Sequence, residues 1–560
     1  MRTPLLLYAL ALGVRLILIA HFPDPTYPDS FYYADVARSL AAGHGFNVDF
    51  LWIFAEVGGH LPANPTLPIP SNAHWMPLAS IVQVPFLLLF GNAGWAGDLP
   101  FALVGALAAP LAWRIGVDAG ARRFVAVGAG VLAALPTLVT PFLAQPDNFG
   151  LYEPAVAGAL WLTARALKGG QHAGRDYALA GLLVGLATLS RNDGVIAGAV
   201  VGLAFVWDRW RARRAADRAI HIPLSAAVAC AGLFALCVVP WFARQLAVFG
   251  TLSPSTASGK VFFIRDIGEW DSITTPATLD HLLGMGIGPL LVTRIEGLIA
   301  AVSTFSVLVG AIALVPFMVV GAWSRRRSVD FGPFFGYALA LFAFSALVSA
   351  VHVPGGTFIH SAIALAPHVY VLAVEGVFVA TGWVAARRRS WDREAAGRVF
   401  GGAMLAFGVV AAVAASFFVH GTWAESRGRL QAIGPALADA GAAPTDRVMS
   451  IDASGTKYWS GHGGVVLVND PLDTIAQVAR AYDVRWLVLD RTMSVAPAKP
   501  ILDGTVRPAW LGPPVYAIAA DGSNAEGLNR GAGAYDFAIW PVCPAAGTDV
   551  CPPPTADAAR

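Results

Sequence analysis

Apolar runs of about 20 residues alternate with short polar segments throughout residues 1–420. A helix of that length crosses the ~30 Å hydrocarbon core of a bilayer. The pattern therefore predicts a polytopic α-helical membrane protein with eleven membrane-spanning helices. The predicted helices cover residues 4–22, 95–115, 121–138, 149–167, 176–190, 193–207, 220–244, 295–321, 332–351, 361–385 and 398–419.

Basic residues are distributed asymmetrically between these helices. Most Lys and Arg residues before residue 421 fall at Arg2 and in the loops after alternate helices, as in residues 209–218, 325–327 and 387–398. Loops rich in Lys and Arg stay on the cytoplasmic side of a membrane. We therefore expect a multi-pass protein of the inner (cytoplasmic) membrane, with a cytoplasmic N-terminus and its C-terminal residues outside, in the periplasm or extracellular space.

The apolar run 75–90 does not fit this alternation as a crossing helix. It has about 16 residues and contains Pro77 and Pro85. So short a run is typical of a helix that lies in the membrane interface. The prediction is a first external loop at residues 23–94 that contains juxtamembrane helices.

The composition changes after His420. Short apolar runs at 447–451, 465–468 and 485–490 alternate with polar segments and predict buried strands. Residues 471–482 predict a helix with Asp470 as its N-cap and Pro471 in its first turn. We expect a small external α/β domain at residues 421–560, after a membrane domain at residues 1–420.

The composition agrees with this division. The chain is 56% hydrophobic and 13% charged, with a mean hydropathy of +0.60 and a net charge of only +2. Walker, GxGxxG, HExxH and CxxC motifs are absent, so the sequence does not indicate the nucleotide-binding or zinc sites that such motifs form in soluble enzymes. We expect no nucleic-acid partner. Cys230 and Cys237 fall within one apolar span, so we expect both to be small side chains that fill space in the helix packing. Cys543 and Cys551 could pair in an oxidising compartment, but their spacing leaves this open.

The segment 27–46, "YPDSFYYADVARSLAAGHGF", follows the first predicted membrane helix. It predicts an external helix from Ser30 to Ala42, with Tyr32 and Tyr33 behind Asp29. Two interpretations of Asp29 are open. It could N-cap the helix, or its carboxylate could face a ligand at the membrane surface.

The second external feature is the tip "SRNDG", residues 190–194, between two predicted helices of only about 15 residues. Helices of that length reach about 22 Å, which would place Arg191 and Asp193 below the outer membrane surface. Charges held there are usually functional. The alternative is that the two side chains only neutralise each other at a turn.

The third feature is a group of cations at predicted outer helix ends. Arg244, Lys260 and His360, together with Arg191, predict binding of a phosphate near the membrane surface, and His74 is a weaker pocket candidate. A carboxylate and several cations at that level indicate a lipid-linked phosphate substrate, because a base must accept the proton of an attacking hydroxyl and cations must stabilise the departing phosphate. The spacing of the Asp and His residues does not indicate a metal site, and binding of a divalent cation is left open.

The chain resembles the GT-C superfamily of glycosyltransferases that use polyprenyl-phosphate sugars, and within it the protein O-mannosyltransferase and lipid A aminoarabinose transferase group. The matching motifs occur in the family's order over residues 1–420. They are "PDSFYYAD", "HWMPLASIVQVPFLLLFG", "LYEPAVAGALWL", "GLATLSRNDG", "PWFARQLAVFGTLSPS" and "GTFIHSAIALAP".

The resemblance implies inverting sugar transfer with Asp29 as the catalytic carboxylate in the first external loop. From their positions on the external face, we also expect a substrate pocket that includes Tyr32, Tyr33, Asp193 and His74. The chain departs from the aminoarabinose enzymes at two places, since Ser30 follows Asp29 and Trp75-Met76 precede Pro77. Metal binding and a lipid A acceptor are therefore not carried over.

Other interpretations of the sequence remain. A transporter or lipid flippase would move the lipid-linked substrate without modifying it, but such proteins are commonly built from internal repeats, and no convincing repeat is visible. A non-catalytic subunit of an envelope assembly would tolerate substitution of Asp29. For an enzyme, the acceptor could be a glycan, a lipid or a protein.

Overall fold

The computed structural model describes residues 2–214, 219–388, 390–519 and 534–543. The chain forms two compact units, each built from three segments. The helical unit contains Met1–Pro25, Trp75–Ala247 and Leu291–His420, and the sheet unit contains Thr26–His74, Val248–Leu290 and Gly421–Arg560. The segment that carries Asp29 therefore folds with the C-terminal residues.

The α-helices follow each other along the chain. They are α1 Arg2–His21, α2 Pro28–Ala41, α3 Ile53–Glu56, α4 Leu78–Ile81, α5 Val84–Phe90, α6 Gly94–Gly105, α7 Ala108–Asp118, α8 Arg123–Ala134, α9 Phe149–Lys168, α10 Ala173–Ser190, α11 Gly194–Arg214, α12 Leu224–Phe249, α13 Thr256–Lys260, α14 Leu279–Leu283, α15 Ile287–Leu308, α16 Val315–Arg325, α17 Gly332–Leu347, α18 Thr357–Ala362, α19 Ala366–Ala385, α20 Arg393–Asp439, α21 Ala453–Ser460, α22 Leu472–Ala481 and α23 Lys499–Leu502. The strands are β1 Asn47–Val48, β2 Phe50–Leu51, β3 Ile69–Pro70, β4 Arg447–Ser450, β5 Gly464–Val466, β6 Val484–Asp490, β7 Tyr516–Ala519 and β8 Tyr535–Pro541.

Within the described residues, seven helical stretches are long and apolar enough to cross a membrane. An eighth is obtained if α8 and the 3₁₀ helix Thr137–Ala144, which meet at a bend of 52°, form one broken span. The chain is thus a multi-pass membrane protein. The other predicted crossings, α9, α10 and α11, are helical but less apolar, so the count of eleven stays a prediction.

Two details of the predicted helices are corrected. The predicted span 295–321 is interrupted at residues 309–314, where Ala311 and Ile312 have φ values of 41° and 59° that no α-helix can continue through. The helices α10 and α11 have 18 and 21 residues, or about 27 and 31 Å, rather than the predicted 22 Å. Helix length therefore does not place their tip below the membrane surface.

The helical unit packs closely through small residues. A Cβ atom added to Gly321 of α16 would lie 1.9 Å from the carbonyl oxygen of Leu372 in α19, and one added to Gly376 of α19 would lie 1.9 Å from that of Phe317. Glycines that allow backbones to approach so closely are typical of helix pairs in membranes. The pair α16–α19 is consequently intolerant of larger side chains at these two positions.

The sheet unit contains a six-stranded sheet in the order β2-β5-β4-β6-β8-β7. The strands β2, β5, β4 and β6 are parallel, β8 pairs antiparallel with β6, and β7 pairs antiparallel with β8. The three predicted strands appear as β4, β5 and β6. The edge strand β2 comes from the first loop, because Phe50 and Leu51 pair with Gly464 and Val465.

The predicted N-cap of α22 is wrong. Pro471 is the N-cap residue, and the Asp470 carboxylate instead accepts hydrogen bonds from the Ser272 hydroxyl at 2.7 Å and the Ile273 amide at 2.7 Å. A buried carboxylate needs such donors, and those of the segment 272–274 satisfy it. At the chain end, Cys543 is disulfide-bonded, whereas Cys551 lies outside the described residues.

Candidate functional site

Asp29 lies in the first turn of α2. The helix begins at Pro28 after the N-cap residue Tyr27, and the Ser30 hydroxyl oxygen accepts hydrogen bonds from the amides of Thr26 and Tyr27 at 2.9 and 3.0 Å. The interpretation of Asp29 as the N-cap is therefore wrong, since Ser30 satisfies the amides that precede the helix. The positive end of the helix dipole nevertheless favours an anion at Asp29.

The two tyrosines behind Asp29 are buried. The hydroxyl of Tyr32 donates to Glu56 Oε1 at 2.9 Å and accepts from the Asn72 amide at 2.7 Å, and Tyr33 packs edge-on against Tyr32. Burial raises the pKa of Glu56 to about 7. These contacts stabilise the loop around α2, and the role of both tyrosines in a substrate pocket stays a prediction.

The helix α21, from the C-terminal part of the chain, packs on α2. The Ser454 hydroxyl donates to the Pro28 carbonyl at 3.0 Å, and the ring of Tyr458 lies 5.3 Å from that of Phe31 and 3.9 Å from the Arg38 guanidinium carbon. Gly455 allows the approach, since a Cβ atom there would lie 3.0 Å from the Phe31 ring. Residues more than 400 positions away thus contact the turn that carries Asp29.

Asp452 brings a second carboxylate toward this turn. It caps α21 by accepting a hydrogen bond from the Gly455 amide at 2.8 Å, and it shares the single Ser454 hydroxyl proton, at 2.9 Å, with the Pro28 carbonyl. Burial raises the pKa of Asp452 to about 6, and the negative charge of Asp29 acts in the same direction. The sequence prediction missed Asp452, although Asp is one of the residue types that favour the N-cap position of a helix.

His74 and Lys260 lie in the sheet unit as well. His74 Nδ1 is 2.5 Å from the Ser255 hydroxyl oxygen, and its ring lies 6.0 Å from Trp270. Lys260 is only 7% exposed, its ammonium donates to the Ser272 carbonyl, and burial lowers its pKa. The partners of Lys260 are therefore internal, and its phosphate-binding role stays a prediction.

In the helical unit, Arg191 and Asp193 form an ion pair with a distance of 3.0 Å between Nη2 and Oδ2. The pair does not stand alone at the turn. The Ser361 hydroxyl donates to the same Asp193 oxygen at 2.6 Å, and Arg191 also approaches the Thr357 carbonyl at 3.5 Å. The tip between α10 and α11 is thereby joined to α18, which carries His360.

His360 faces a carboxylate that the sequence prediction missed. Its Nδ1 lies 3.5 Å from Asp147 Oδ2, and its ring stacks on Phe149 with 4.3 Å between centroids. Asp147 is fully buried, and the neighbouring Asn148 accepts a hydrogen bond from the Ser190 hydroxyl at 3.2 Å. The only sequence signal is an acid followed by an amide in "QPDNFG", between two predicted membrane helices.

These residues form one polar cluster at the start of α9, the end of α10 and α18. We call it the α9 cluster, and its members are Asp147, Asn148, Ser190, Arg191, Asp193, Thr357, His360 and Ser361. An imidazole nitrogen and a carboxylate oxygen are ligands that divalent metals accept, so Asp147 and His360 could contribute to holding a cation. The cluster also offers a guanidinium, which suits a phosphate oxygen.

Arg244, the remaining predicted cation, lies on α12. Its Nη1 donates to Gln245 Oε1 at 2.8 Å, and its guanidinium carbon lies 5.0 Å from the centroid of the Trp241 ring. Both neighbours are on the same helix. The structure thus brings two predicted cations, Arg191 and His360, into one cluster and places Arg244 among residues of its own helix.

Comparison with known proteins bears on this arrangement. A family model described as dolichyl-phosphate-mannose-protein mannosyltransferase matches residues 73–241. A search of curated protein sequences gives no match. Among solved structures, the archaeal oligosaccharyltransferase AglB from Archaeoglobus fulgidus, in complex with an inhibitory peptide and a dolichol-phosphate, is 15% identical with a TM-score of 0.54, over 93% of this chain and 75% of that chain.

Two further structures have the same arrangement of the chain. The oligosaccharyltransferase of Archaeoglobus fulgidus in complex with Zn and sulfate is 15% identical with a TM-score of 0.53, over 92% of this chain and 72% of that chain. ArnT from Cupriavidus metallidurans in the apo state is 14% identical with a TM-score of 0.51, over 98% of both chains. These comparisons confirm the resemblance indicated by the sequence: the chain is a multi-pass membrane protein with the fold of the GT-C glycosyltransferases.

Proposed function

We propose that this protein is a membrane glycosyltransferase that moves a sugar from a polyprenyl-phosphate-linked donor to an acceptor hydroxyl. The α9 cluster carries this proposal, since it gathers Arg191, His360 and a buried carboxylate in a fold shared with AglB, whose structure contains dolichol-phosphate. A family model for mannosyltransferases that act on dolichyl-phosphate-mannose supports the same donor class. The sugar, the prenyl chain and the acceptor are left open.

In the proposed reaction, Asp29 is the general base. It accepts the proton of the acceptor hydroxyl while the hydroxyl oxygen attacks the anomeric carbon of the donor. The bond from that carbon to the phosphate oxygen breaks, the lipid phosphate leaves with the electron pair, and the configuration at the sugar inverts. Asp29 is suited to the role because it lies half-buried in the first turn of α2, where the positive end of the helix dipole favours its charged, proton-accepting form.

The departing phosphate gains negative charge and needs cationic partners. We assign this stabilisation to Arg191, Arg244 and His360, with Lys260 as a further candidate, because charge-assisted hydrogen bonds to phosphate are the strong ones. Asp193 and Ser361 fix the orientation of the Arg191 guanidinium within the α9 cluster. We place the reaction on the outer side of the inner membrane, with residues 421–560 in the periplasm or extracellular space.

The test is a transfer assay with purified full-length protein. A panel of polyprenyl-phosphate sugars with radiolabelled sugar moieties is incubated with candidate glycan, lipid and protein acceptors, and labelled product is separated from donor. We expect one donor class to give product with wild-type protein and none with Asp29→Asn. Movement of intact donor across proteoliposomes without product, equally in wild type and Asp29→Asn, would support a flippase and contradict the proposal.

A further inference from the structure

The end of α9 that lies away from the α9 cluster borders a second polar site. A cavity of about 240 Å³ lies between the ends of α7 and α9 and the start of α10. Its charged and titratable lining residues are Arg114, Asp118, Arg165, Lys168, His172 and Asp176. We call it the basic cavity, and the proposed transfer reaction uses none of these side chains.

The length of α9 gives the position of the basic cavity. The helix begins immediately after Asn148 of the α9 cluster and ends at Lys168 of the cavity, 20 residues later. This corresponds to about 30 Å, the thickness of a hydrocarbon core. The basic cavity and the α9 cluster therefore lie about one bilayer thickness apart, and the cavity lies at the end where Lys and Arg accumulate.

Carboxylates hold the cations of the cavity in fixed orientations. Asp118 Oδ1 lies 2.8 Å from Arg114 Nη2, and Asp176 Oδ2 lies 3.0 Å from Arg165 Nε. The Asp176 side chain is only 4% exposed, so the Arg165 guanidinium is held by a buried carboxylate. A guanidinium has five N–H donors and these pairs use some of them, which leaves others to bind an anion.

Lys168 and the backbone that leads into α10 also line the basic cavity. Lys168 is 40% exposed at its side chain, and its ammonium forms an ion pair with Asp330 Oδ1 at 2.7 Å and donates to the Asp118 carbonyl at 2.8 Å, which keeps it at the cavity with one N–H donor left for an anion. Gly169 and Gly170 have φ values of 82° and 101°, so the loop before α10 turns sharply without side chains. The positive end of the 18-residue helix α10 follows at His172 and Ala173.

We propose that the basic cavity binds the phosphate of an anionic phospholipid headgroup from the leaflet on the basic side of the protein. The cavity has room for about eight water volumes of ~30 Å³ each, which is enough for a headgroup phosphate. Basic pockets between membrane helices on the cytoplasmic side bind lipid headgroups through such contacts. A soluble phosphate shares this chemistry, and the experiment below separates the two sources.

The experiment uses full-length protein in detergent and does not depend on sugar transfer. Dioleoyl-phosphatidylglycerol, dioleoyl-phosphatidylcholine or inorganic phosphate is added, and retained lipid is measured by native mass spectrometry together with the melting temperature. We expect phosphatidylglycerol, but neither of the other two, to be retained and to raise the melting temperature. Arg114→Gln and Lys168→Gln should each raise the lipid concentration for half-maximal retention roughly tenfold.

Arg326→Gln is the matched control, because Arg326 is an exposed arginine that donates to the Trp323 carbonyl of the neighbouring turn. It should retain phosphatidylglycerol like wild type. Equal losses in Arg326→Gln and Arg114→Gln would overturn the proposal, since the effect would then be general surface charge. An equal response to inorganic phosphate would overturn the assignment to lipid. If Arg114→Gln does not fold, Lys168→Gln decides, because its side chain is 40% exposed and Gln can still donate to the Asp118 carbonyl.

Discussion

Two acidic centres at helix starts, Asp29 in α2 and Asp147 before α9, are held in opposite ways. Asp29 is half-buried in a turn whose amides are satisfied by Ser30 and whose carbonyl at Pro28 receives a hydrogen bond from Ser454. Asp147 is fully buried and paired with His360 at 3.5 Å. We infer different roles for the two residues, because an accessible carboxylate suits proton transfer, whereas a buried and paired one suits positioning of its partner side chain.

The largest expected effect concerns Asp29. Asp29→Asn removes the base but keeps a polar side chain in the first turn, so transfer should fall roughly 10²- to 10⁴-fold. The melting temperature should change little, because Asn has the same shape as Asp and keeps a side-chain oxygen that accepts hydrogen bonds. Initial transfer rates and thermal unfolding of the same preparations give both quantities.

Asp35→Asn is the matched control on the same helix. Burial raises the pKa of Asp35 well above its usual range because it disfavours the charged carboxylate, and a neutral amide of the same shape suits the same position. We expect nearly normal transfer. A folded and active Asp29→Asn protein would refute the role of Asp29 as base.

The second effect concerns Asp147 and His360. Asp147→Asn removes the negative charge 3.5 Å from His360 Nδ1, and loss of one partner of a buried pair should lower transfer by at least roughly tenfold. His360→Gln should cost a similar factor. The double variant should be no worse than the poorer single variant, since residues that act as a unit are not additive. Fully additive losses would show that the two residues act independently.

The third effect concerns the two arginines assigned to the donor phosphate, Arg191 and Arg244. Arg191→Gln should raise the apparent KM for the donor roughly tenfold or more, by loss of a charge-assisted phosphate contact. Arg191→Gln also removes the ion-pair partner of Asp193, and the double variant with Asp193→Asn removes that carboxylate charge as well. A rise in KM that persists in the double variant comes from the missing phosphate contact, whereas a rise that disappears comes from the uncompensated Asp193 charge. Arg244→Gln should also weaken donor use, because it removes a similar charge-assisted contact with the donor phosphate. If both single variants keep the wild-type KM for the donor, neither residue binds the phosphate.

The sequence predicted those features that depend on local pattern. The start of α2 near Asp29, the strands β4 to β6 and the short helices α4 and α5 all follow from short-range periodicity and composition. The resemblance in fold was also recognisable from the ordered motifs. Asp29 was selected because it stands in such a motif.

The features that were missed depend on long-range contacts. Asp147 and His360 are more than 200 residues apart, and no spacing rule brings them together. The pairing of β2 with β5 joins residues more than 400 positions apart, so the first loop could not be assigned to the sheet unit beforehand. The interruption after α15 was missed because an apolar run conceals a change in φ at Ala311 and Ile312.

The smallest expected effect is a pH dependence that comes from Asp452. Its pKa is raised from about 4 in the unfolded chain to about 6 in the folded protein, where burial disfavours the charged carboxylate. A raised carboxyl pKa contributes stability below the unfolded pKa, and this contribution is lost as the pH rises through the folded pKa. Between pH 4 and 7 the loss should be about 2–3 kcal/mol, at about 1.4 kcal/mol per pKa unit.

Asp452→Asn isolates this contribution. Asn is neutral at every pH and is about as good an N-cap as Asp, so α21 should keep its start. Glu56 and Asp271 also have raised pKa values of about 7, so both proteins lose stability as the pH rises. Only the difference in melting temperature between wild type and Asp452→Asn, measured from pH 4 to 7, reports on Asp452. That difference should grow with pH in favour of the variant, and a constant difference would mean that the Asp452 carboxylate is not destabilised by burial beside Asp29.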